Sequence, residues 1–123
     1  MPSIPSRLMG TGTPAQQALS ICGRVGNNLT AAGTTNANAL ALSNEINVVT
    51  TTAASTGVLL PRIETGASVY VSNLGAADLL VYPGTGAQIN ALTATTGGFT
   101  VPTGKSAMFF GASGTRWTTL LSA

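Results

Sequence analysis

A chain of 123 residues with three acids, five bases and no histidine has room for one domain, or one small domain with an arm. With Cys22 as the single cysteine, a histidine-dependent triad, a Cys/His zinc site and an internal disulfide framework are excluded. Charged residues are 7% of the chain against 44% apolar, yet the apolar share leans on alanine, and Ala, Gly, Thr and Ser fill about half of the sequence.

The first element with punctuation is a short helix near 14–22. Thr13 serves as N-cap, Pro14 as first helical residue, Gln16 as capping-box partner and Gly23 as the stop. Ala15, Ala18, Leu19 and Cys22 then share one side. So short a helix is marginal alone in water, and its stripe must dock on its own domain or on a neighbour. Cys22 reads as part of that stripe, a buried inert thiol with no His or Lys beside it. Residues 29–42 are ambiguous, with Leu40 and Leu42 alternating as in a strand, and extended structure is expected there.

Composition changes near residue 45. Residues 1–44 read as an N-terminal arm carrying the short helix, and 45–123 as a β body. The body's expected strands are 46–51, 57–60, 68–73, 79–82, 87–91, 99–101, 107–111 and 116–121. Pro61, Asn73 with Gly75, Pro83 with Gly84 and Gly86, Gly97 with Gly98, Pro102 with Gly104, and Ser113 with Gly114 supply the turns between them. Eight short strands with no space for crossover helices imply an all-β fold, a small antiparallel β-sandwich or jelly-roll-like body. Its inward set is Val69, Val71, Leu80, Tyr82, Ile89, Phe99, Val101, Phe109 and Trp117. With 5% aromatic residues that core is thin, and association that buries further apolar surface is the remedy. Self-association is expected.

Chemistry-bearing motifs are sparse. Gly98 to Ser106 ends in Gly-Lys-Ser, but five residues rather than four separate Gly98 from Gly104. Pro102 removes an amide, and a strand follows where a phosphate loop needs a helix. The string reads as a turn between strands. Glu45, Glu64 and Asp78 are scattered, so no paired-carboxylate site is expected. Trp117 reads as packing. No enzymatic activity and no cofactor or metal are expected. The isoelectric point near 9.2 comes from bases spread along the chain, so a nucleic-acid partner is not expected. Mean hydropathy is +0.35, but no run approaches the roughly 20 apolar residues that span a bilayer, so no membrane partner is expected. Residues 1–10 lack the continuous apolar core of a secretory signal, and synthesis in a cytoplasm fits.

One resemblance covers roughly residues 25–120. Leu29-Thr-Ala-Ala-Gly-Thr-Thr, Ile46-Asn-Val-Val-Thr-Thr, Thr56-Gly-Val-Leu-Leu-Pro, Ser68-Val-Tyr-Val-Ser-Asn-Leu-Gly, Gly86-Ala-Gln-Ile-Asn-Ala-Leu and Gly104-Lys-Ser-Ala-Met-Phe-Phe follow in order. The series resembles a group of small virion structural proteins of tailed bacteriophages. That resemblance implies a capsid decoration or cement role, commonly as a trimer, with the major capsid protein as partner. The place of action would be the capsid surface of the virion, after synthesis in the host bacterial cytoplasm. On this reading the arm's Ile4, Leu8, Met9, Leu19 and Ile21 are the candidate partner-binding residues. Similar β modules occur in tails and fibres, so a host-recognition module is the alternative, with the loop from Pro83 to Ala87 as its contact.

Overall fold

The computed structural model describes residues 23–123, together with Gly12 and Pro14. Ten strands make up its regular structure: β1 Val25–Thr30, β2 Leu40–Ala41, β3 Ile46–Thr51, β4 Gly57–Leu59, β5 Ser68–Asn73, β6 Leu79–Tyr82, β7 Gln88–Ile89, β8 Phe99–Val101, β9 Ser106–Gly111 and β10 Arg116–Leu121. None of the described residues is helical. The helix expected near 14–22 lies outside them except for Pro14.

The strands form two sheets packed as a sandwich. The six-stranded sheet has the order β1-β3-β5-β9-β10-β7, and the four-stranded sheet β2-β4-β6-β8. The all-β expectation holds, but the antiparallel, jelly-roll-like pairing does not. β1, β3 and β5 are parallel to one another, as are β2, β4 and β6. Between strands, antiparallel pairing is confined to β5–β9, β9–β10 and β6–β8, and β7 joins β10 in parallel. The cause is the path of the chain. Through β6 each strand lies in the opposite sheet from the one before it, so the chain winds round the core. Strands that return to the same sheet after each turn point the same way. The strand of the opposite sheet does the work of the crossover helix that parallel neighbours usually need.

The sheets begin upstream of the composition break near residue 45. Edge strand β1 pairs along its length with β3, with an extra residue near Asn27 and Asn28, where Asn28 has a φ of 55°. Such a bulge on an edge discourages further pairing.

Between the sheets lie Val49, Val58, Val69, Val71, Leu79, Val81, Ile89, Val101, Phe109 and Trp117, all 3% exposed or less. Phe99 of β8 and Phe109 of β9 meet edge to face across the interior, centroids 5.7 Å apart, a favoured aromatic geometry. Two expected inward residues differ. Leu80 is half-buried, and Leu79 and Val81 face the core instead, because a shift of one position along a strand exchanges faces. Tyr82 is buried, but its ring lies against Gly57 and Gly98 on the outer side of the four-stranded sheet. There its hydroxyl donates to the carbonyl of Thr34 at 3.4 Å. Phe99 is half-buried against the core.

Buried amides tie the layers together. Asn73 Nδ2 donates to the carbonyls of Ala77 and Val101, both at 2.9 Å, and its Oδ1 accepts from the Gly75 amide at 3.0 Å. Val101 lies in the opposite sheet, so this one side chain spans the sandwich. Thr52 Oγ1 holds Ala77 from the other side, donating to its carbonyl and accepting from its amide. Asn47 Nδ2 donates to the carbonyls of Asn44 and Tyr70, while its buried Oδ1 has no donor among the described residues.

Candidate functional site

Ile4, Leu8, Met9, Leu19 and Ile21, expected to bind a partner, lie outside the described residues, as does Cys22. What is described is the root of the arm. Gly23 has a φ of +95°, and a Cβ added there would stand 3.3 Å from Ile46 Cδ1. The Arg24 amide donates to Glu45 Oε2 at 3.0 Å, and the Ile46 amide donates to the Arg24 carbonyl at 2.9 Å. The chain therefore enters β1 pinned beside the start of β3.

Ile46 belongs to a feature that only strand register reveals. In β3 the usual preference is inverted: Asn47 and Val49 point inward, while Ile46 and Val48 stand on the outer face. Across the six-stranded sheet Val25 lies beside Ile46, Ile46 beside Tyr70, Tyr70 beside Met108 and Met108 beside Leu120. Five apolar or aromatic residues thus form one outward row over five strands. Its ends are open, with Val25 61% and Leu120 64% exposed. The flanking rows, Val48-Ser72-Ser106 and Ser68-Phe110-Thr118, carry no charge. Three of the hydroxyls on this face bond to one another: the Tyr70 hydroxyl donates to Ser106 Oγ at 3.0 Å, and Ser106 Oγ donates to Ser72 Oγ at 3.1 Å. A pocket of about 150 Å³ opens between Tyr70, Met108 and Leu120. Contiguous exposed apolar surface is the kind of surface at which proteins meet other proteins, membranes or ligands.

A second concavity lies at the loop from Pro83 to Ala87. Positive φ at Gly84 and Gly86 turns the backbone, the Ala87 amide donates to the Gly84 carbonyl at 3.2 Å, and the Gly86 amide donates to Thr95 Oγ1 at 2.9 Å. Trp117, fully buried, donates from Nε1 to the Pro83 carbonyl at 3.2 Å and so holds the loop from below. The cleft has a volume of about 700 Å³ between Leu60, Arg62, Ile63, Pro83, Thr85 and Thr115. That size suits a small ligand, but Arg62 is the single ionisable side chain in its lining.

The remaining motif is a strand connection. The Gly104 amide donates to the Asn73 carbonyl at 2.8 Å, the Lys105 amide to the Pro102 carbonyl at 3.0 Å and the Ser106 amide to Ser122 Oγ at 2.9 Å. Three successive amides that a phosphate loop would offer to its ligand are already engaged. Glu64 and Asp78 are exposed. Among the described residues no three His, Cys, Asp or Glu come together as a metal site.

The outer row escaped sequence reading because period-2 alternation is absent from Ala107 to Phe110. That loss of alternation was the available signal, since a strand apolar in both phases has two covered faces. No model of a known protein family matches the chain, and neither a curated protein nor a solved structure is found similar to it.

Proposed function

We propose that this chain is a virion structural protein of a tailed bacteriophage, a decoration or cement protein that trimerises and binds the major capsid protein through its N-terminal arm. The observation that supports the reading best is the position of the arm's root. Gly23 enters the body at Ile46, inside the uncharged apolar row on the outer sheet face. The face at the arm's root is apolar, suited to burial against protein rather than to catalysis. Binding comes from Ile4, Leu8, Met9, Leu19 and Ile21, each worth about 1.5 to 3 kcal/mol when fully buried, before ordering costs. Three linked arms in a trimer multiply the effect through effective concentration.

The test is co-sedimentation with capsids lacking the protein. Deletion of residues 1–22 is expected to abolish most binding while the β circular dichroism persists. Undiminished binding overturns the arm's role. Light scattering that finds a stable, folded monomer at micromolar concentration overturns the trimer.

The cleft beside Pro83 to Ala87 favours a second reading, a tail or fibre module that binds a host-surface glycan or protein. Immunogold labelling of the intact virion separates the two: label on the head shell supports decoration, label at the tail tip supports recognition.

A further inference from the structure

We propose that the cleft beside Pro83 to Ala87 binds the free carboxyl end of a peptide whose last residue is aliphatic. The cleft is built before any ligand arrives. Its rim is already bonded: the Leu60 amide donates to the Tyr82 carbonyl at 2.9 Å, Trp117 Nε1 to the Pro83 carbonyl at 3.2 Å, the Gly86 amide to Thr95 Oγ1 at 2.9 Å and the Thr115 amide to Ser113 Oγ at 3.3 Å. A preformed site spares the ligand the cost of ordering it. Access is open as well, since a Cβ added at Gly84 would meet only the Leu60 carbonyl oxygen, at 3.8 Å, and one added at Gly86 nothing within 4 Å.

Charge selects one end of the ligand. Arg62 is exposed and pairs with no carboxylate among the described residues, and the lining holds no acid to compete for it. A guanidinium grips a carboxylate through two parallel hydrogen bonds. The amides of Gly84 and Thr85, also in the lining, donate to no acceptor among the described residues, and the backbone amides of a turn can seat a chain-terminal carboxylate. The rest of the lining selects the body. Leu60, Ile63 and Pro83 offer an aliphatic wall. The hydroxyls of Thr85 and Thr115 can each donate and accept, which suits the N–H and C=O of a peptide. An acidic sugar fits less well, because its hydroxyls and ring call for Asp, Asn or an aromatic face, and the lining holds none of these, with Trp117 fully buried beneath the loop. A fatty acid would set its methylenes against the threonine hydroxyls and leave them unpaired. The inference narrows the tail-module reading of the cleft to the end of a protein chain but rests on the cleft alone: label on the head shell removes that reading, and only titration removes this one.

The test is calorimetric titration of the full chain with acetyl-Gly-Thr-Leu bearing a free carboxylate. Saturable binding is expected at submillimolar concentration, weakened at least about tenfold when the peptide ends in an amide and as much by Arg62→Gln. Thr85→Glu, which sets an acid in the exposed loop, is expected to weaken it similarly, whereas Arg116→Gln, exposed and outside the lining, leaves it unchanged. Circular dichroism and Trp117 emission report that each variant stays folded, and if Arg62→Gln does not, Thr85→Glu carries the test. Glucuronate and octanoate are titrated alongside. Tighter binding of either, dependent on Arg62, assigns the cleft to another ligand class and overturns the inference. Absence of saturable peptide binding in the millimolar range, equal binding of the amide, or a loss with Arg116→Gln equal to that with Arg62→Gln also overturns it.

Discussion

The two halves of the sandwich are held by different means. From β1 to β6 the chain winds, and what it buries is mostly valine and leucine, with the amides Asn47 and Asn73. From β8 onward it turns back in antiparallel pairs, with β7 set in parallel beside β10, and here lie Phe99, Phe109 and Trp117, three of the six aromatic residues. Winding supplies backbone ladders between strands distant in sequence, and it needs side-chain amides to close the turns from sheet to sheet. The returning half supplies bulk. The thin core expected from composition is therefore thin mainly on the wound side, and the aromatic side closes it.

The sharpest way to break this contrast is Trp117→Ala. It opens a cavity at the fully buried ring and removes the hydrogen bond to the Pro83 carbonyl, at a cost of about 3 to 5 kcal/mol. Thermal denaturation followed by circular dichroism is expected to show the whole sandwich lost together. Melting of β7–β10 alone would mean that the wound half stands independently. Next in size is Asn73→Leu, which keeps similar volume but takes the side-chain donor from the Val101 carbonyl and the acceptor from the Gly75 amide, while the Ala77 carbonyl keeps the Thr52 hydroxyl. Chemical denaturation is expected to register a loss of about 2 to 3 kcal/mol, whereas a neutral result would show that packing alone sustains the winding. Gly57→Ala probes the same half by crowding. The new Cβ would lie 2.7 Å from both the Leu80 carbonyl oxygen and the Tyr82 ring, and a loss of about 1 to 3 kcal/mol is expected in the same assay. The smallest effect belongs to Lys105→Ala, at a turn whose backbone bonds do not involve its side chain. Stability should change by no more than about 0.5 kcal/mol, and titration calorimetry should find no magnesium-ATP binding before or after the change.

Strand positions were legible because turn chemistry brackets them: 46–51, 68–73, 79–82, 99–101 and 116–121 coincide with the observed strands. Partners were not legible. A Gly- or Asn-rich turn states that the chain bends, and nothing local distinguishes a hairpin within one sheet from an arch to the other. Asn47 shows the limit on the core. Flanked by Ile46 and Val48, it looks like the solvent side of an alternating strand, yet it is the residue turned inward, and its hydrogen bonds to Asn44 and Tyr70 come from pairing that lies across the fold. The candidate surface was hidden for the same reason. Val25, Ile46, Tyr70, Met108 and Leu120 are scattered over most of the sequence and become neighbours only once the strand order is set.

Winding also gives the molecule a unit of growth. Val25 stands beside Ile46 and Ile46 beside Tyr70, so each circuit of the chain adds one strand to either sheet and raises the stack by about 4.8 Å. A chain with one more circuit would be taller by that step without altering the aromatic end that closes it. The distance from the arm's root at Gly23 to the β9–β10 hairpin is thus counted in turns, and the sandwich behaves as a spacer whose length is written in whole circuits.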